Sequence, residues 1–559
     1  MDGDTQTYRT QSIGGLSWTY REGSEDLLAV DFTPETLTGA DENRVRVRGR
    51  YEAGGRDYFV KVFKRAGAGR ALKSMVLGHV AKNEFSASRY LSSRGIRTPE
   101  ALAVGLSPSR EDHAVIIFQA VVDAIPVRDL FLGARPHERE MYLDLIARTT
   151  AQLHRASFHH RDYHGGNLLV TTDEAGRPLL WVVDLHRSSF PRDMAGRRGV
   201  ANIADILHSL LPALKQGDTG RFLTRYRHEN PAARWDDAAA RQAIEKRIGK
   251  IEERRLRSRT KRCFMNSSGF FVSRSRRWIL YARRGVSGDE IIGLIGRFTR
   301  GVGRLIKRDR KASVALMPTD RVETCIKAYE RLGPLDRIRA LFGYSRGHRS
   351  WRAAEGMLLR GFNAPRHLCL AISRRFFIPR AVYLVTESIA PRLEMDRFIL
   401  DNLGGGPSEA RRRFVTGFGT VIGSLHRAGI YHRDLKATNI AVGKEGDDFS
   451  YSFLDLDAVS FGGPVSAGRR AKNLAQIFLS TPGLIDAPAR RLFFEAYLAA
   501  SGREEESQAI QRLVGNMVKG KDIIYVSRAG DVIEDARGLY EKLWGNDRHE
   551  ARDPRDGPM

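Results

Sequence analysis

Hydrophobic and polar positions alternate along two stretches near the start of the chain, as they do in β-strands. Arg44–Tyr51 and Tyr58–Phe63 show this period of two on either side of a turn at Gly54-Gly55. From Arg139 to Ala156 the apolar residues recur instead at the spacing of an amphipathic helix. The first part of the chain is therefore predicted to have a strand-rich front followed by helices.

The same order of elements returns later in the chain. Trp278–Ala282, Ser313–Met317 and Thr324–Tyr329 are predicted to be strands, and Arg412–Ala428 the matching helix. The charged segment Glu252–Lys261 is predicted to link the two halves. We expect one domain at 1–257, a second at 258–545 and a disordered polar tail at 546–559.

Polar residues repeat at a nearly constant offset, which hydrophobic periodicity cannot explain. Asn202 returns as Asn473 and Tyr226 as Tyr497, 271 residues later in both cases. Two longer motifs return at an offset of 272: Leu153-His154-Arg155-Ala156 as Leu425-His426-Arg427-Ala428, and His160-Arg161-Asp162 as His432-Arg433-Asp434. A period this long indicates duplicated domains and is too long for a solenoid.

Each repeat contains an Asp followed five residues later by an Asn, on a loop between a helix and a strand. The pairs are Asp162 with Asn167 and Asp434 with Asn439. This spacing is typical of a phosphotransferase catalytic loop. In such a loop the Asp orients the attacking hydroxyl or accepts its proton, and the Asn helps to hold magnesium. Asp162 and Asp434 are therefore the candidate catalytic residues.

A second metal-binding carboxylate is expected on the strand that follows each loop. Asp184 comes after Trp181-Val182-Val183, and Asp455 after Ser452-Phe453-Leu454. An Asp that ends an apolar strand lies where the strand opens into the site. The candidate magnesium ligands are therefore Asn167 and Asp184 in the first half, and Asn439 and Asp455 in the second.

Upstream of each loop, the chemistry requires a Lys for the nucleotide phosphates and a Glu to hold that Lys. Lys61 lies on a predicted strand, and Glu84 follows it by 23 residues. Lys327 and Glu355 repeat the arrangement with a spacing of 28. We expect an ion pair in each half to fix the Lys against ATP. The sequence does not single out the loop that covers the phosphates. The candidate in the first half is Thr36–Ala40, and the candidates in the second half are Gly301–Gly303 and Lys307–Lys311.

The residues around these motifs resemble the lipopolysaccharide core kinases of the Kdo/WaaP group. The resemblance rests on the run Phe158–Val170, on Val183–Arg187, and on Glu84-Phe85 leading into the turn Gly95–Pro99. It implies an α+β fold with two tandem bilobal protein-kinase-like domains, each with a β-rich N-lobe and a helical C-lobe. It also implies transfer of phosphate from ATP, with Mg²⁺, to a heptose or Kdo hydroxyl of the lipopolysaccharide inner core.

Two alternatives stay open. A Ser/Thr protein kinase is one, because Lys436 follows Asp434 by two residues as in that class. The other is that one half is a pseudokinase scaffold. A nucleic-acid partner is not expected, because aromatic residues do not interleave with the basic clusters as stacking would require.

Charge and composition indicate which partners and which compartment to expect for this protein. The formal net charge is +26, and basic residues cluster between Lys246 and Lys311. Such a surface attracts anionic lipid headgroups or phosphorylated glycans. Only 3 cysteines occur, which excludes a disulfide scaffold, and no apolar run is long enough for a membrane span. We expect a cytoplasmic protein, peripheral at the inner face of the inner membrane, that meets lipopolysaccharide core or a related anionic glycolipid.

Overall fold

The computed structural model describes most of the chain, in two compact units. Unit 1 comprises residues 1–252 and unit 2 residues 253–559. The predicted break after residue 257 lies five residues further along the same helix, and the expected tail at 546–559 lies outside the described residues, as does Arg44. The described ranges are 7–42, 45–64, 79–108, 113–215, 217–310, 312–319, 323–389, 392–404, 408–527 and 530–544.

The front of unit 1 is an antiparallel sheet of seven strands within the described ranges. The strand order is β1-β2-β6-β7-β5-β4-β3. Helix α1 follows β5 in the chain and packs on β6 and β7. The bounds are β1 Tyr8–Ile13, β2 Leu16–Arg21, β3 Thr38–Glu42, β4 Arg46–Ala53, β5 Arg56–Phe63, α1 Val80–Ser92, β6 Ala101–Leu106 and β7 Ala114–Gln119.

The rear of unit 1 is mostly helical, around a core to which the long helix contributes Leu143, Ile146 and Leu153. Its short strands lie both before and after this helix in the chain. The bounds are β8 Ile125–Pro126, α2 Val127–Gly133, α3 Pro136–Arg155, β9 His159–His160, β10 Leu168–Thr172, β11 Pro178–Val182, β12 Ser188–Ser189, α4 Arg197–Leu210, α5 Asp218–Glu229 and α6 Asp237–Lys261.

The front sheet of unit 2 has the same topology, with the order β13-β14-β18-β19-β17-β16-β15. It differs from unit 1 by a helix inserted between its second and third strands and by a short helix ahead of the one that matches α1. The bounds are β13 Phe270–Arg274, β14 Trp278–Arg283, α7 Gly288–Thr299, β15 Arg304–Arg308, β16 Ser313–Met317, β17 Thr324–Tyr329, α8 Pro334–Leu341, α9 Arg346–Leu358, β18 His367–Arg375 and β19 Ile378–Glu387.

The rear of unit 2 is again helical and ends in an additional hairpin and helix. The bounds are β20 Leu393–Glu394, α10 Met395–Asn402, α11 Ser408–Arg427, β21 Ile430–His432, β22 Ile440–Glu445, β23 Asp448–Phe453, β24 Val459–Phe461, α12 Ala467–Ser480, α13 Ala487–Ser501, α14 Ser507–Val518, β25 Asp522–Ser527, β26 Gly530–Asp535 and α15 Ala536–Trp544. Across the described residues, no helix combines the length and the apolar character needed to span a bilayer.

The predicted elements agree with the structure except at one place. Ser313–Met317 and Thr324–Tyr329 are strands with the predicted bounds. The helix expected from Arg139 begins at Pro136, where Glu138 accepts from the backbone of Arg135 and caps the first turn. Glu252–Lys261 was expected to be a linker but is the last part of α6, because its Glu and Arg residues favour a helix.

The repeated polar residues form the same buried hydrogen-bond cluster in both units. In unit 1, the His154 ring contacts Tyr226 Oη at 2.8 Å and Asn202 Oδ1 at 3.2 Å. Asn202 Nδ2 in turn donates to the carbonyl of His160 at 2.9 Å. Buried polar groups must be paired, so each member of the cluster fixes the others.

Unit 2 repeats the cluster with the residues 271 or 272 positions later. His426 contacts Tyr497 Oη and Asn473 Oδ1, both at 3.1 Å. Asn473 Nδ2 donates to the carbonyl of His432 at 2.6 Å. The polar repeats therefore mark one packing arrangement that ties three rear helices of each unit to the end of β9 or β21, where the loop with Asp162 or Asp434 begins.

We predict that these histidines make the fold sensitive to acid. Burial lowers the pKa of His154 and of His426 to about 4, so both stay neutral in the folded chain while the unfolded chain protonates them below about pH 6.5. Their contribution is complete above pH 6.5 and is lost as the pH falls towards 4. At pH 5, each should lower the free energy of unfolding by about 2 kcal/mol.

Urea unfolding between pH 7.5 and 5, followed by tryptophan fluorescence, checks this prediction. His154→Gln should flatten the pH dependence of the transition in unit 1. His137→Gln, at an exposed position of α3, serves as the matched control and should leave it unchanged. An H154Q profile as steep as that of the unsubstituted chain would contradict the assignment.

Candidate active site

The loop between β9 and β10 carries both Asp162 and Asn167. Asn167 Nδ2 donates to the carbonyl of Asp162 at 2.9 Å, which closes the loop on itself. The His160 ring lies beneath it, 3.1 Å from the Val183 carbonyl, and accepts from the backbone N–H of Asp162. The Asp162 carboxylate stays 39% exposed, so a substrate hydroxyl can reach it.

Asp184 lies beside this loop at the end of β11. Val183 N donates to the carbonyl of Asn167 at 3.0 Å, which places the two candidate metal ligands next to each other. Asp184 has φ 59°, a left-handed conformation that non-glycine residues rarely adopt outside functional sites. Burial would raise the pKa of Asp184, but hydrogen bonds and charge from His186 and Lys61 outweigh it and hold the pKa well below its usual range.

Lys61 joins the front of the unit to this loop. Its Nζ lies 2.7 Å from Glu84 Oε1 on α1 and 2.7 Å from Asp184 Oδ1. Lys61 and Glu84 are both almost fully buried. The expected Lys61–Glu84 ion pair is therefore present. A cavity of about 250 Å³ opens against it, lined among others by Phe118, Gln119, Ala120, Val121, Asn167 and Asp184.

Three arginines on β4 also face this cleft and were missed in the sequence. Arg48 and Arg50 line the cavity, and Arg46 Nη1 lies 3.8 Å from Asp184 Oδ1. The signal was the alternation Arg-x-Arg-x-Arg, which places all three on one side of a strand. Of the candidate segment Thr36–Ala40, the last three residues belong to β3, which pairs with β4.

Unit 2 reproduces the catalytic loop closely. Asn439 Nδ2 donates to the carbonyl of Asp434 at 2.8 Å and to Asp434 Oδ2 at 3.2 Å. Asp455 again has a left-handed backbone, with φ 47°. Lys327 Nζ lies 2.5 Å from Asp455 Oδ1. Burial would raise the pKa of Asp455, and Lys327 is the main cause of its net lowering.

The expected ion pair between Lys327 and Glu355 is wrong. Lys61 and Lys327 occupy equivalent strand positions, since they pair with Ile116 and Leu384 in the same register. Lys327 is 266 positions after Lys61, and helix α9 begins and ends 266 positions after α1. The residue equivalent to Glu84 is therefore Ser350. Within the described residues, Glu355 pairs instead with Arg283 Nη2 at 2.7 Å.

A different ion pair anchors α9 in unit 2. Arg346 Nε, at the start of the helix, donates to Asp457 Oδ2 at 2.6 Å. Arg349 Nε donates to the carbonyl of Asp457 at 3.3 Å. Asp457 is almost fully buried and follows Asp455 by two residues. The Asp-Leu-Asp motif, in place of Asp-Leu-His in unit 1, was the sequence signal for this change.

A family model shows to which proteins this arrangement belongs. The model of the lipopolysaccharide kinase (Kdo/WaaP) family matches residues 35–226 and 332–497, more than half of the chain. The chain belongs to the lipopolysaccharide kinase (Kdo/WaaP) family. It is therefore a kinase, and the α+β fold with two tandem kinase-like domains that the sequence predicted is confirmed.

Individual relatives match one part of this tandem lipopolysaccharide kinase. The lipopolysaccharide core heptose(I) kinase WaaP of Pseudomonas aeruginosa is 29% identical over 226 residues, which cover 37% of this chain and 84% of that protein. A solved structure of WaaP in complex with acyl carrier protein is 23% identical, covers 42% of this chain and 99% of its own, and has a TM-score of 0.34. The Mycobacterium tuberculosis PknI kinase domain is 14% identical, with coverages of 39% and 100% and a TM-score of 0.26.

The two clefts of this lipopolysaccharide kinase differ in the strand that covers them. By strand register, Val314 and Leu316 on β16 stand where unit 1 has Arg48 and Arg50. Unit 1 therefore offers an anion-binding roof, since guanidinium groups bind phosphate through paired N–H donors. Unit 2 offers an apolar one.

We predict that the two helix glutamates differ in their effect on catalysis. Glu84→Gln should lower kcat at least about tenfold, because Lys61 loses the carboxylate that positions it. Glu355→Gln is the matched substitution in unit 2 and should change kcat less than about twofold, because the partner of Glu355 among the described residues is Arg283, which is not a candidate site residue. ATP turnover at saturating substrate measures both, and melting curves verify that each variant is folded. An E355Q loss equal to that of E84Q would show that Glu355 has a site role after all.

Proposed function

We propose that the chain transfers the γ-phosphoryl group of ATP to a heptose or Kdo hydroxyl of the lipopolysaccharide inner core. The observation that carries the proposal is the assembly of Lys61, Glu84, Asn167 and Asp184 around one cleft, with the Asp162 carbonyl hydrogen-bonded to Asn167. Membership of the lipopolysaccharide kinase family supports the sugar acceptor. The WaaP relative, named as a heptose(I) kinase, points to the same chemistry.

Each residue of unit 1 has a defined task in this proposal. Lys61, held by Glu84, binds the α- and β-phosphates of ATP. Asp162, which is partly exposed, orients the sugar hydroxyl and accepts its proton. The arginines of β4 add positive charge above the phosphates and reduce the repulsion that an anionic glycan would meet.

The donor set fits magnesium. Asn167 uses its side-chain nitrogen for the Asp162 carbonyl, which leaves its oxygen for a cation. Asp184 adds a carboxylate, the ligand type that Mg²⁺ prefers. Glu84, Asp184 and His186 also bring donor atoms within 4.8 Å of one another. We assign magnesium to Asn167 and Asp184, because an Asn on the catalytic loop and an Asp after the next strand are the residues that hold it in kinases, and Glu84 serves to hold Lys61. Magnesium bound there would neutralise the charge of the phosphates during transfer.

A specific observation favours a lesser catalytic role for unit 2. Ser350 stands where unit 1 has Glu84, so Lys327 has Asp455 as its carboxylate partner and no glutamate from α9. We therefore propose that unit 1 performs most of the transfer and that unit 2 is a weak kinase or a pseudokinase scaffold. Lys436, 3.1 Å from Asp434, keeps the resemblance of unit 2 to Ser/Thr kinases, and a protein acceptor is the alternative for that unit.

The proposed acceptor is anchored in a membrane, which gives the basic surface a role. We propose that the chain works in the cytoplasm and associates peripherally with the anionic inner face of the inner membrane. Basic residues between Lys246 and Lys311 support this proposal, because each Lys or Arg near an anionic surface contributes about 1 kcal/mol.

The two candidate catalytic aspartates give the direct test. Asp162→Ala should lower phosphate transfer from labelled ATP to purified core glycan at least about 10³-fold, because the hydroxyl loses its proton acceptor. Asp434→Ala should retain more than about half of the activity. Asp289→Ala, at an exposed position of α7, is the matched control and should have no effect.

Three results would change the proposal. A D434A loss as large as that of D162A would assign the main activity to unit 2. Labelling of a generic protein substrate in place of the glycan would favour the protein-kinase alternative. Unchanged transfer in both variants would refute the catalytic assignment.

A further inference from the structure

The hairpin between β18 and β19 carries two phenylalanines where the backbone favours other residues. Phe376 and Phe377 form the whole two-residue loop, with φ angles of 49° and 66°. Two left-handed residues define a type I′ turn, in which Asn-Gly is the preferred pair because bulky side chains are strained there. Both rings are also exposed, by 72% and 63%. Neither turn stability nor core packing explains this pair.

Arginines surround the two rings. Arg374 and Arg375 precede them and Arg380 follows, with the Arg374 guanidinium 5.7 Å from the Phe377 ring and that of Arg375 5.7 Å from the Phe376 ring. The neighbouring turn of β13 and β14 adds Arg276 and Arg277, and Arg374 N bonds the Arg277 carbonyl at 2.7 Å. No acidic residue occurs in 275–277 or in 374–380.

A helix with an exposed apolar side lies at the same end of the sheet. Tyr329, the last residue of β17, pairs with Val382, four residues from the start of β19, so β17 ends near the hairpin tip. Helix α8 begins five residues later and packs on β19. Its exposed apolar side chains and those just after it are Leu335, Ile338, Leu341, Phe342 and Tyr344.

Basic residues accompany the apolar ones on α8. Arg337 and Arg339 lie between its exposed leucines and isoleucine, and its single acid, Asp336, is paired with Arg339 at 3.3 Å. Exposed apolar groups of this size on a soluble surface mark an interaction site. We define the docking face as the 374–380 hairpin, the 275–277 turn and α8.

We propose that this docking face inserts its apolar side chains into the surface of an anionic lipid bilayer. The charge selects the occupant, since each arginine beside an anionic headgroup strengthens binding by about fivefold. The shape agrees, because the rings stand on a convex hairpin tip, which suits insertion among acyl chains better than a pocket for a peptide. This deepens the proposed function, because it rests on an acceptor anchored in a membrane.

The test uses the full chain and vesicles of phosphatidylcholine with roughly one third phosphatidylglycerol. The variant Phe376→Asn/Phe377→Gly installs the pair that the turn prefers, so it keeps the hairpin while removing both rings. Co-sedimentation should show at least about tenfold weaker binding of this variant. Ile533→Ser, which removes an equally exposed apolar side chain on β26, is the matched control and should bind as the unsubstituted chain does.

A second variant reports on insertion directly. Phe377→Trp should give a blue-shifted emission in anionic vesicles and be quenched by lipids brominated in their acyl chains. Neither effect should occur with vesicles of phosphatidylcholine alone. An emission unchanged by anionic vesicles would overturn the proposal.

Further outcomes separate this inference from the proposed function. Vesicle binding that survives the Asn-Gly substitution would overturn the docking face. So would a dimer of the unsubstituted chain in sedimentation velocity that this substitution abolishes, because the face would then bind a second copy. Transfer to a soluble, delipidated core oligosaccharide should be equal in the variant and the unsubstituted chain. If the unsubstituted chain transfers nothing, the proposed function fails while the vesicle result still decides the docking face.

Discussion

A neutral buried histidine, shared between an asparagine and a tyrosine, holds the catalytic loop of each unit. In unit 1, Asn202 bonds both the His154 ring and the carbonyl of His160, two residues before Asp162. Loss of any member would leave a buried polar group unpaired, which costs more than the bond itself contributes. The cluster therefore had to be retained as a whole when the two halves diverged. This explains why the clearest matches between the repeats are polar.

The connection between the helix of the front part and the segment after Asp184 or Asp455 was less constrained, and it differs between the two units. Unit 1 uses Lys61 as the centre, with Glu84 and Asp184 on either side. Unit 2 leaves Lys327 with Asp455 and links its helix through Arg346 and Asp457. In both units a lysine of the front sheet bonds the Asp that follows the catalytic loop. Only in unit 1 does a helix glutamate bond the same lysine. The two units thus share one fold but differ in the ion pairs around the lysine of the front sheet.

Local spacing explains what could be predicted from the sequence and what could not. The loops at Asp162 and Asp434 were found because Asp and Asn are five residues apart on one segment. The prediction of Glu355 was wrong because it rested only on an acidic residue downstream of Lys327. The 23-residue spacing from Lys61 to Glu84 leads to Ser350 in the second half. The left-handed φ angles and the exposure of Phe376 and Phe377 follow from the pairing of β18 with β19, so no local sequence pattern predicts them. The arginines of β4 were visible as an alternation, but their direction depended on the register with β5.

The identical strand order of the two front sheets affects how the chain reaches its native state. Duplicated domains on one chain risk exchanging equivalent strands during folding, since each strand fits the hydrogen-bond ladder of its counterpart. Here β4 and β16 are poorly interchangeable. Exchanging them would place Arg48 and Arg50 at the half-buried positions of Val314 and Leu316 in unit 2, and those two apolar residues above the charged cleft of unit 1. Each sheet would then carry side chains that do not match its cleft. The difference between β4 and β16 should therefore also disfavour strand exchange while the chain folds.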